Sequence, residues 1–193
     1  MANKILILKG SPRKTGNSAV LAERAADGAR EAGAQVETIF LHGLNILPCD
    51  GCDACQSTGE CVLSDDMQDI YPKLSAADGI ILASPIYWFT YTAQLKMCID
   101  RWYALYALWN LKKGAFRNKK LGIILTFGDP DIYSSGAINA IHTFESMARF
   151  IQADMVGLVY GSLANIGDAQ KHPELMDQAF ALGKVLVQGE EEA

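Results

Sequence analysis

Lys4-Ile5-Leu6-Ile7-Leu8-Lys9 runs straight into Gly10-Ser11-Pro12-Arg13-Lys14-Thr15-Gly16-Asn17-Ser18. The first six residues are an apolar run that breaks at glycine, which reads as a parallel strand buried on both faces. Beyond the loop, Val20, Leu21, Ala25, Ala29 and Ala32 recur at helical spacing, and Gly33 is a natural stop. Strand, loop and helix in that order are the repeating unit of a parallel α/β sheet.

The pattern repeats along the chain. Residues 35–41 make a second strand. After a cysteine-rich stretch, Ser64 can cap a helix through Met67, Ile70 and Leu74. Residues 79–84 give a third strand, followed by a long helix with Leu95, Cys98, Ile99, Trp102, Leu105, Tyr106 and Trp109 on one side. A fourth strand spans 120–127, a helix runs from about Ala137 to Gln152, and a fifth strand lies near 155–161. A last helix carries Leu175, Ala179, Leu182 and Leu186, and Glu190 to Glu192 are expected to fray. Strands alternate with helices five times, which predicts a three-layer α/β sandwich with a five-stranded parallel sheet. Five strands favour the flavodoxin-like order 2-1-3-4-5 over the six-strand dinucleotide fold.

The 193 residues form one domain by size, 1–193, with a cysteine-rich loop at 48–63 inserted after the second strand. A net charge of −5 argues against a nucleic-acid groove, which wants clustered Lys and Arg. No apolar run reaches the roughly 18 residues that span a bilayer. The N-terminal apolar run is too short for a signal-peptide core, so a cytoplasmic location is expected. That compartment keeps thiols reduced, which makes disulfides the weaker account of the cysteines.

Three segments carry chemistry. Ligands of an open α/β sheet bind outside the carboxyl ends of its strands, so the Gly10–Ser18 loop is the first. Its helix N-terminus favours an anion, and Arg13 offers a permanently charged fork for phosphate oxygens. The loop is neither a Walker loop nor Gly-x-Gly-x-x-Gly, which weighs against a dinucleotide. The blander reading is a Ser/Gly turn with Asn17 or Ser18 capping a helix. The second segment, Ser84-Pro85-Ile86-Tyr87-Trp88-Phe89-Thr90-Tyr91, is aromatic and follows a buried strand. It is either a hydrophobic lid or subunit contact, or the wall against which a flat ring lies. Beside a phosphate loop, the ring of a mononucleotide is the better reading.

The third segment is Cys49, Cys52 and Cys55, followed by Cys61. Four soft thiolates in one short loop can wrap a single metal centre. Structural zinc sites usually present two separated ligand pairs, whereas the first three cysteines resemble the ferredoxin run that holds iron–sulfur clusters. Zinc, an empty loop and reactive thiols stay open on spacing alone. Cys98 stands apart at core spacing and is expected to be a buried thiol. His42, His142 and His172 share no metal-site spacing.

Taken together, the Gly10–Ser18 loop, the four-cysteine loop leading into Asp65-Asp66-Met67, and Ala83-Ser84-Pro85-Ile86-Tyr87-Trp88 with Gln94-Leu95-Lys96-x-x-Ile99-Asp100-Arg101 resemble the iron–sulfur flavoprotein family. That family lies within the flavodoxin-like NADPH-dependent FMN reductase superfamily. The resemblance covers the chain to about residue 130. It implies FMN, with Ser11, Arg13, Asn17 and Ser18 on the phosphate and Thr15 in the same loop. Pro85, Ile86, Tyr87 and Trp88 would border the isoalloxazine. Thr126-Phe127-Gly128-Asp129 would supply a third wall, with Thr126 and Gly128 as its binding residues. It also implies a [4Fe-4S] cluster on Cys49, Cys52, Cys55 and Cys61.

The expected function is that of an FMN-dependent electron-transfer oxidoreductase with no conventional catalytic side chain, since the cofactors carry the hard chemistry. One alternative is an NAD(P)H-dependent FMN or quinone reductase without a cluster. Another is a non-enzymatic flavin-binding redox sensor. Expected partners are a ferredoxin-like carrier, or nicotinamide and a quinone-like acceptor. The apolar stretch from Trp102 to Trp109 exceeds one helix face and points to a homodimer or homotetramer.

Overall fold

The computed structural model describes residues 2–107 and 114–188. Five parallel strands build the sheet: β1 (Lys4–Lys9), β2 (Gln35–Phe40), β3 (Gly79–Tyr87), β5 (Lys120–Phe127) and β6 (Asp154–Ser162). They lie side by side in the order β2-β1-β3-β5-β6. Among the described residues the sheet has six strands rather than the five expected. The sixth, β4 (Thr90–Tyr91), turns back antiparallel on the end of β3, pairing Ile86 with Tyr91 and Tyr87 with Thr90.

The helices are α1 (Asn17–Glu31), α2 (Cys55–Thr58), α3 (Met67–Ala76), α4 (Ala93–Asp100), α5 (Tyr103–Ala107), α6 (Ala137–Ile151) and α7 (Pro173–Gln188). Side chains of a strand alternate between faces, and the core divides accordingly. Leu6, Leu8, Ile80, Leu82, Ile123 and Leu125 pack with residues of α3, α4 and α6. Ile5, Ile7, Ile81, Ala83 and Ile124 pack under α1 and α7. Each fully buried Ile or Leu contributes about 1.5–3 kcal/mol. The alanines of α1 let α7 approach closely. A Cβ on Gly28 would fall 2.0 Å from the Phe180 carbonyl oxygen, and one on Gly183 would fall 1.9 Å from that of Ala25.

Two helix expectations are corrected. The helix expected from Ser64 begins at Met67, because Asp65 takes over the start: its Oδ1 accepts from the Met67 amide at 3.0 Å. The long helix after β3 is two helices broken at Arg101 and Trp102. The Arg101 carbonyl accepts from the Ala104 amide at 3.3 Å and from the Tyr71 hydroxyl at 3.2 Å, so the α-helical ladder does not pass through it. Trp102, Ala104 and Leu105 are core residues. Leu108 and Trp109, which completed the expected apolar stretch, and Glu190 to Glu192 lie outside the described residues.

Candidate functional site

Three loops leave the carboxyl ends of β1, β3 and β5 and meet a fourth that follows β6. Together they line one cavity of about 140 Å³. Ser11 and Arg13 come from the first loop with Asn17 and Ser18 at the start of α1, Pro85, Ile86 and Tyr87 from the last residues of β3, Thr126 and Phe127 from the end of β5 with Gly128 just beyond it, and Leu163 to Ile166 from the fourth loop. A volume below the roughly 300–1,000 Å³ of an enclosing pocket suits part of a mononucleotide, with the rest lying over the rim. A larger groove of about 490 Å³ lies between the first residues of β1 and β2 and the end of α3, remote from all four loops.

The first loop is held rigidly. The Gly10 amide donates to the Ala83 carbonyl at 2.8 Å, and the Gly10 carbonyl accepts from the buried Thr92 hydroxyl at 2.8 Å. The Thr92 amide in turn donates to Ser84 Oγ at 3.1 Å, so hydrogen bonds through Thr92 tie the β1 and β3 loops together. Ser11 and Ser18 are buried at 2% and 1% exposure, yet both line the cavity. The Ser11 hydroxyl accepts from the Arg13 amide at 3.1 Å and keeps its own proton to donate. The first intrahelical bond of α1 runs from Val20 to Gly16, which leaves the amides of Asn17, Ser18 and Ala19 ahead of it. Arg13 is exposed, and no carboxylate pairs with it among the described residues. Buried hydroxyls, helix-terminal amides and an unpaired guanidinium form a phosphate-type cradle.

The sequence-named residues divide. Ser11, Arg13, Asn17, Ser18, Pro85, Ile86, Tyr87, Thr126 and Gly128 share the cavity. Thr15 instead faces a separate cleft with Lys14, Val20 and Glu23. Trp88 stands 91% exposed at the tip of the β3–β4 hairpin, outside the cavity lining. The Asn17 side chain is already committed. It donates to the carbonyls of Leu163 and Asn165 at 3.2 and 2.8 Å and accepts from the Ala169 amide at 3.2 Å. The fourth wall, Leu163 to Ile166, was missed, although it follows the carboxyl end of a strand as the binding rule for such sheets requires.

The cysteine loop also leaves a carboxyl strand end, that of β2. Cys49, Cys52, Cys55 and Cys61 line a second, small cavity with Arg101 and Tyr103. Burial and the charges of Cys61, Cys49 and Cys52 push the Cys55 thiol up. In donor chemistry and placement the four thiols fit a soft metal centre. They are not converged: among the described residues no three His, Cys, Asp or Glu side chains stand close enough to hold a metal ion. Cys98 is fully buried in the core, and burial pushes its thiol up to about 12. His42 pairs with Gln94, and His172 with Glu174.

A parallel sheet of this order with a phosphate-type cradle at its carboxyl edge defines a flavodoxin-like nucleotide-binding protein. The NADPH-dependent FMN reductase family profile matches residues 3–162. The chain belongs to that family, and its curated relatives include proteins named iron–sulfur flavoproteins. It is similar to the iron–sulfur flavoprotein of Methanosarcina thermophila, with 41% identity over 65% of this chain and 63% of that protein. It therefore spans somewhat less than two thirds of that relative. An iron–sulfur flavoprotein of Methanocaldococcus jannaschii is 36% identical over 73% of this chain and 70% of its own length. Among solved structures, the Trp repressor binding protein of Bacillus subtilis superposes with a TM-score of 0.70 at 28% identity, covering 92% of this chain and 99% of that one.

Proposed function

We propose that this chain is an FMN-dependent electron-transfer oxidoreductase that also carries a [4Fe-4S] cluster on Cys49, Cys52, Cys55 and Cys61. One observation supports it above the others: the phosphate-type cavity and the four-thiol cavity both open on the carboxyl edge of one sheet. The family and the names of the relatives agree with it.

Bound FMN would exchange electrons singly or in pairs, and a cluster would pass them singly. The chain's own part is to bind and orient. Ser11, Ser18 and the first amides of α1 would take the phosphate, with Arg13 adding a charge-assisted contact. Pro85, Ile86 and Tyr87 would border the ring on one side and Thr126 to Gly128 on another. The Thr92 and Ser84 hydrogen bonds keep the two principal walls in fixed register, so little has to reorganise on binding.

The donor would be NAD(P)H or a ferredoxin-like carrier, and the acceptor a one-electron carrier or a quinone. Self-association to a dimer or tetramer belongs to the same reading. The test is anaerobic purification followed by iron, sulfide, zinc and flavin analysis of one sample. Stoichiometric FMN with iron and sulfide is expected, and absence of iron and sulfide from iron-replete cells would remove the cluster. A second reading, an NAD(P)H-dependent FMN or quinone reductase without a cluster, is favoured by the open arrangement of the thiols. It predicts rapid NAD(P)H oxidation by iron-free protein.

A further inference from the structure

We propose that Arg101 is the positioning residue of the cysteine loop, and that its hydrogen bond to the Cys61 sulfur tunes the metal centre held there. The inference rests on the cluster reading and adds to it a residue outside the cysteine set.

Arg101 is 1% exposed, and the Asp65 side chain that pairs with it is wholly buried. The guanidinium grips both carboxylate oxygens, Nη1 to Oδ2 at 2.5 Å and Nη2 to Oδ1 at 3.3 Å. The same pair closes the base of the loop. Arg101 Nη1 donates to the Leu47 carbonyl at 2.9 Å, and Asp65 Oδ2 accepts from the Leu47 amide at 2.8 Å. Leu47 lies just before Cys49 and Asp65 just after Cys61, so one ion pair staples the two ends of the segment bearing every loop cysteine.

A staple alone does not require charge. Two apolar side chains of matching shape often hold a buried contact as well as an ion pair does. The charge has a second use here. Arg101 Nη2 donates to Cys61 Sγ at 3.2 Å. Arg101 Nε is buried and has no acceptor among the described residues, so the guanidinium keeps one donor uncommitted. The Tyr71 hydroxyl fixes the Arg101 backbone from the opposite element. Cys61 thus differs from Cys49 and Cys52, which are exposed. Donors to the sulfurs of a cluster stabilise its more negative, reduced form and raise its potential.

A purely structural staple would change how much cluster is incorporated and leave the character of the incorporated cluster alone. Wild type, Arg101→Lys and Arg101→Gln are therefore reconstituted anaerobically, and the midpoint potential of the bound cluster is read by redox titration followed by electron paramagnetic resonance. In Arg101→Gln the reduction equilibrium should fall about tenfold, ~59 mV for a one-electron couple. Arg101→Lys should recover part of the loss. Loaded variants with the wild-type potential would overturn the proposal. Should neither variant fold or load, wild type labelled with ¹⁵N-arginine decides alone. Electron–nuclear double resonance of its reduced cluster should show coupling to an arginine nitrogen, and no coupling overturns the proposal. Wild type without iron and sulfide is a separate result: it removes the cluster reading, and this inference with it.

Discussion

Asn17 Nδ2 donates to the backbone carbonyl of Asn165 at 2.8 Å, joining the first turn of α1 to the loop after β6 across the whole chain. With its bonds to Leu163 and Ala169, the side chain uses both amide protons and its oxygen on the protein itself. Asn17 therefore shapes the wall of the cavity. Asn17→Ala should destabilise the fold by about 2 kcal/mol, since each net hydrogen bond contributes about 0.5–1.5 kcal/mol. It should also weaken FMN binding while the oxygen-preserving Asn17→Asp, which cannot donate to the two carbonyls, fails to rescue. Chemical denaturation and flavin-quenching titrations measure the two effects. Unchanged affinity in a stable Asn17→Ala variant would exclude the fourth wall from the site.

Asp168 continues that connection and makes it sensitive to acid. Its Oδ2 accepts from the Asn165 amide at 2.7 Å and its Oδ1 from Lys171 at 3.0 Å. The Asn165 amide first, and then Lys171, hold the carboxyl below the usual carboxylate range. A carboxyl depressed in the folded state stabilises fully above its unfolded pKa of about 3.9 and loses that contribution as pH falls through the lower folded value. Amide exchange at Asn165 should stay slow relative to its intrinsic rate from pH 7 to 5 and lose protection below about pH 4. Asp168→Asn should show the weaker protection already at neutral pH, with no further carboxylate step.

Much of this was legible because its signals are local. The Gly10–Ser18 loop announces itself by hydroxyls and glycines after an apolar run, and its residues largely share one cavity. The hairpin after β3 was not legible. A two-residue turn with positive φ at both positions is usually marked by Asn-Gly or Gly-Gly. Here Trp88 and Phe89 occupy it at φ 49° and 69°. An aromatic pair there reads as a ring-stacking wall, whereas the turn swings Trp88 outward. The break at Arg101 was hidden for a related reason. Apolar spacing runs on through Trp102 and Leu105, and only the distant Asp65 shows why the chain turns there. Thr15 illustrates the limit of naming a whole loop, since Arg13 and Gly16 line the cavity while Lys14 and Thr15 line a separate cleft.

That strained hairpin leans on one glycine. Gly136 has φ +74°, and a Cβ built there would lie 2.6 Å from Phe89 Cα. Asn139 Nδ2 also donates to the Phe89 carbonyl at 3.2 Å, so the start of α6 buttresses the turn. Gly136→Ala should cost roughly 2–3 kcal/mol through backbone strain and the clash. It should also displace Tyr87 from the cavity. Thermal unfolding and the near-ultraviolet circular dichroism of the aromatic side chains would report both. A variant as stable as wild type would show that the turn relaxes freely.

Arg13 tests the proposed phosphate site directly. It is exposed, lines the cavity and is unpaired among the described residues, so its removal should disturb the ligand and not the fold. Arg13→Ala should cost about 1.5–3 kcal/mol of FMN affinity, toward the lower end because water screens the contact. That is roughly a ten- to hundredfold rise in Kd. Riboflavin, which lacks the phosphate, should bind both proteins equally. Calorimetry showing the same loss for riboflavin would place Arg13 elsewhere on the ligand.

The five cysteines should separate into a reactive group and a silent one. Cys49 and Cys52 are exposed, Cys55 and Cys61 half-buried, and Cys98 fully buried. The thiolate is the nucleophile and the metal ligand, so both access and ionisation decide the order. Burial holds the Cys98 thiol at about 12, which leaves almost no thiolate at neutral pH. In cluster-free, reduced protein, iodoacetamide should label the four loop cysteines and reach Cys98 only after denaturation. In anaerobic preparations, replacing any one of the four with Ala should sharply lower iron, because cluster ligation needs all four thiolates together. FMN binding should survive each replacement, since its cradle draws no residue from that loop. Cys98→Ala should leave iron unchanged and cost about 1 kcal/mol through a small core cavity. Mass spectrometry of the labelled peptides and iron analysis of the variants give the two readouts. Loss of iron in Cys98→Ala with a wild-type unfolding midpoint would break the division.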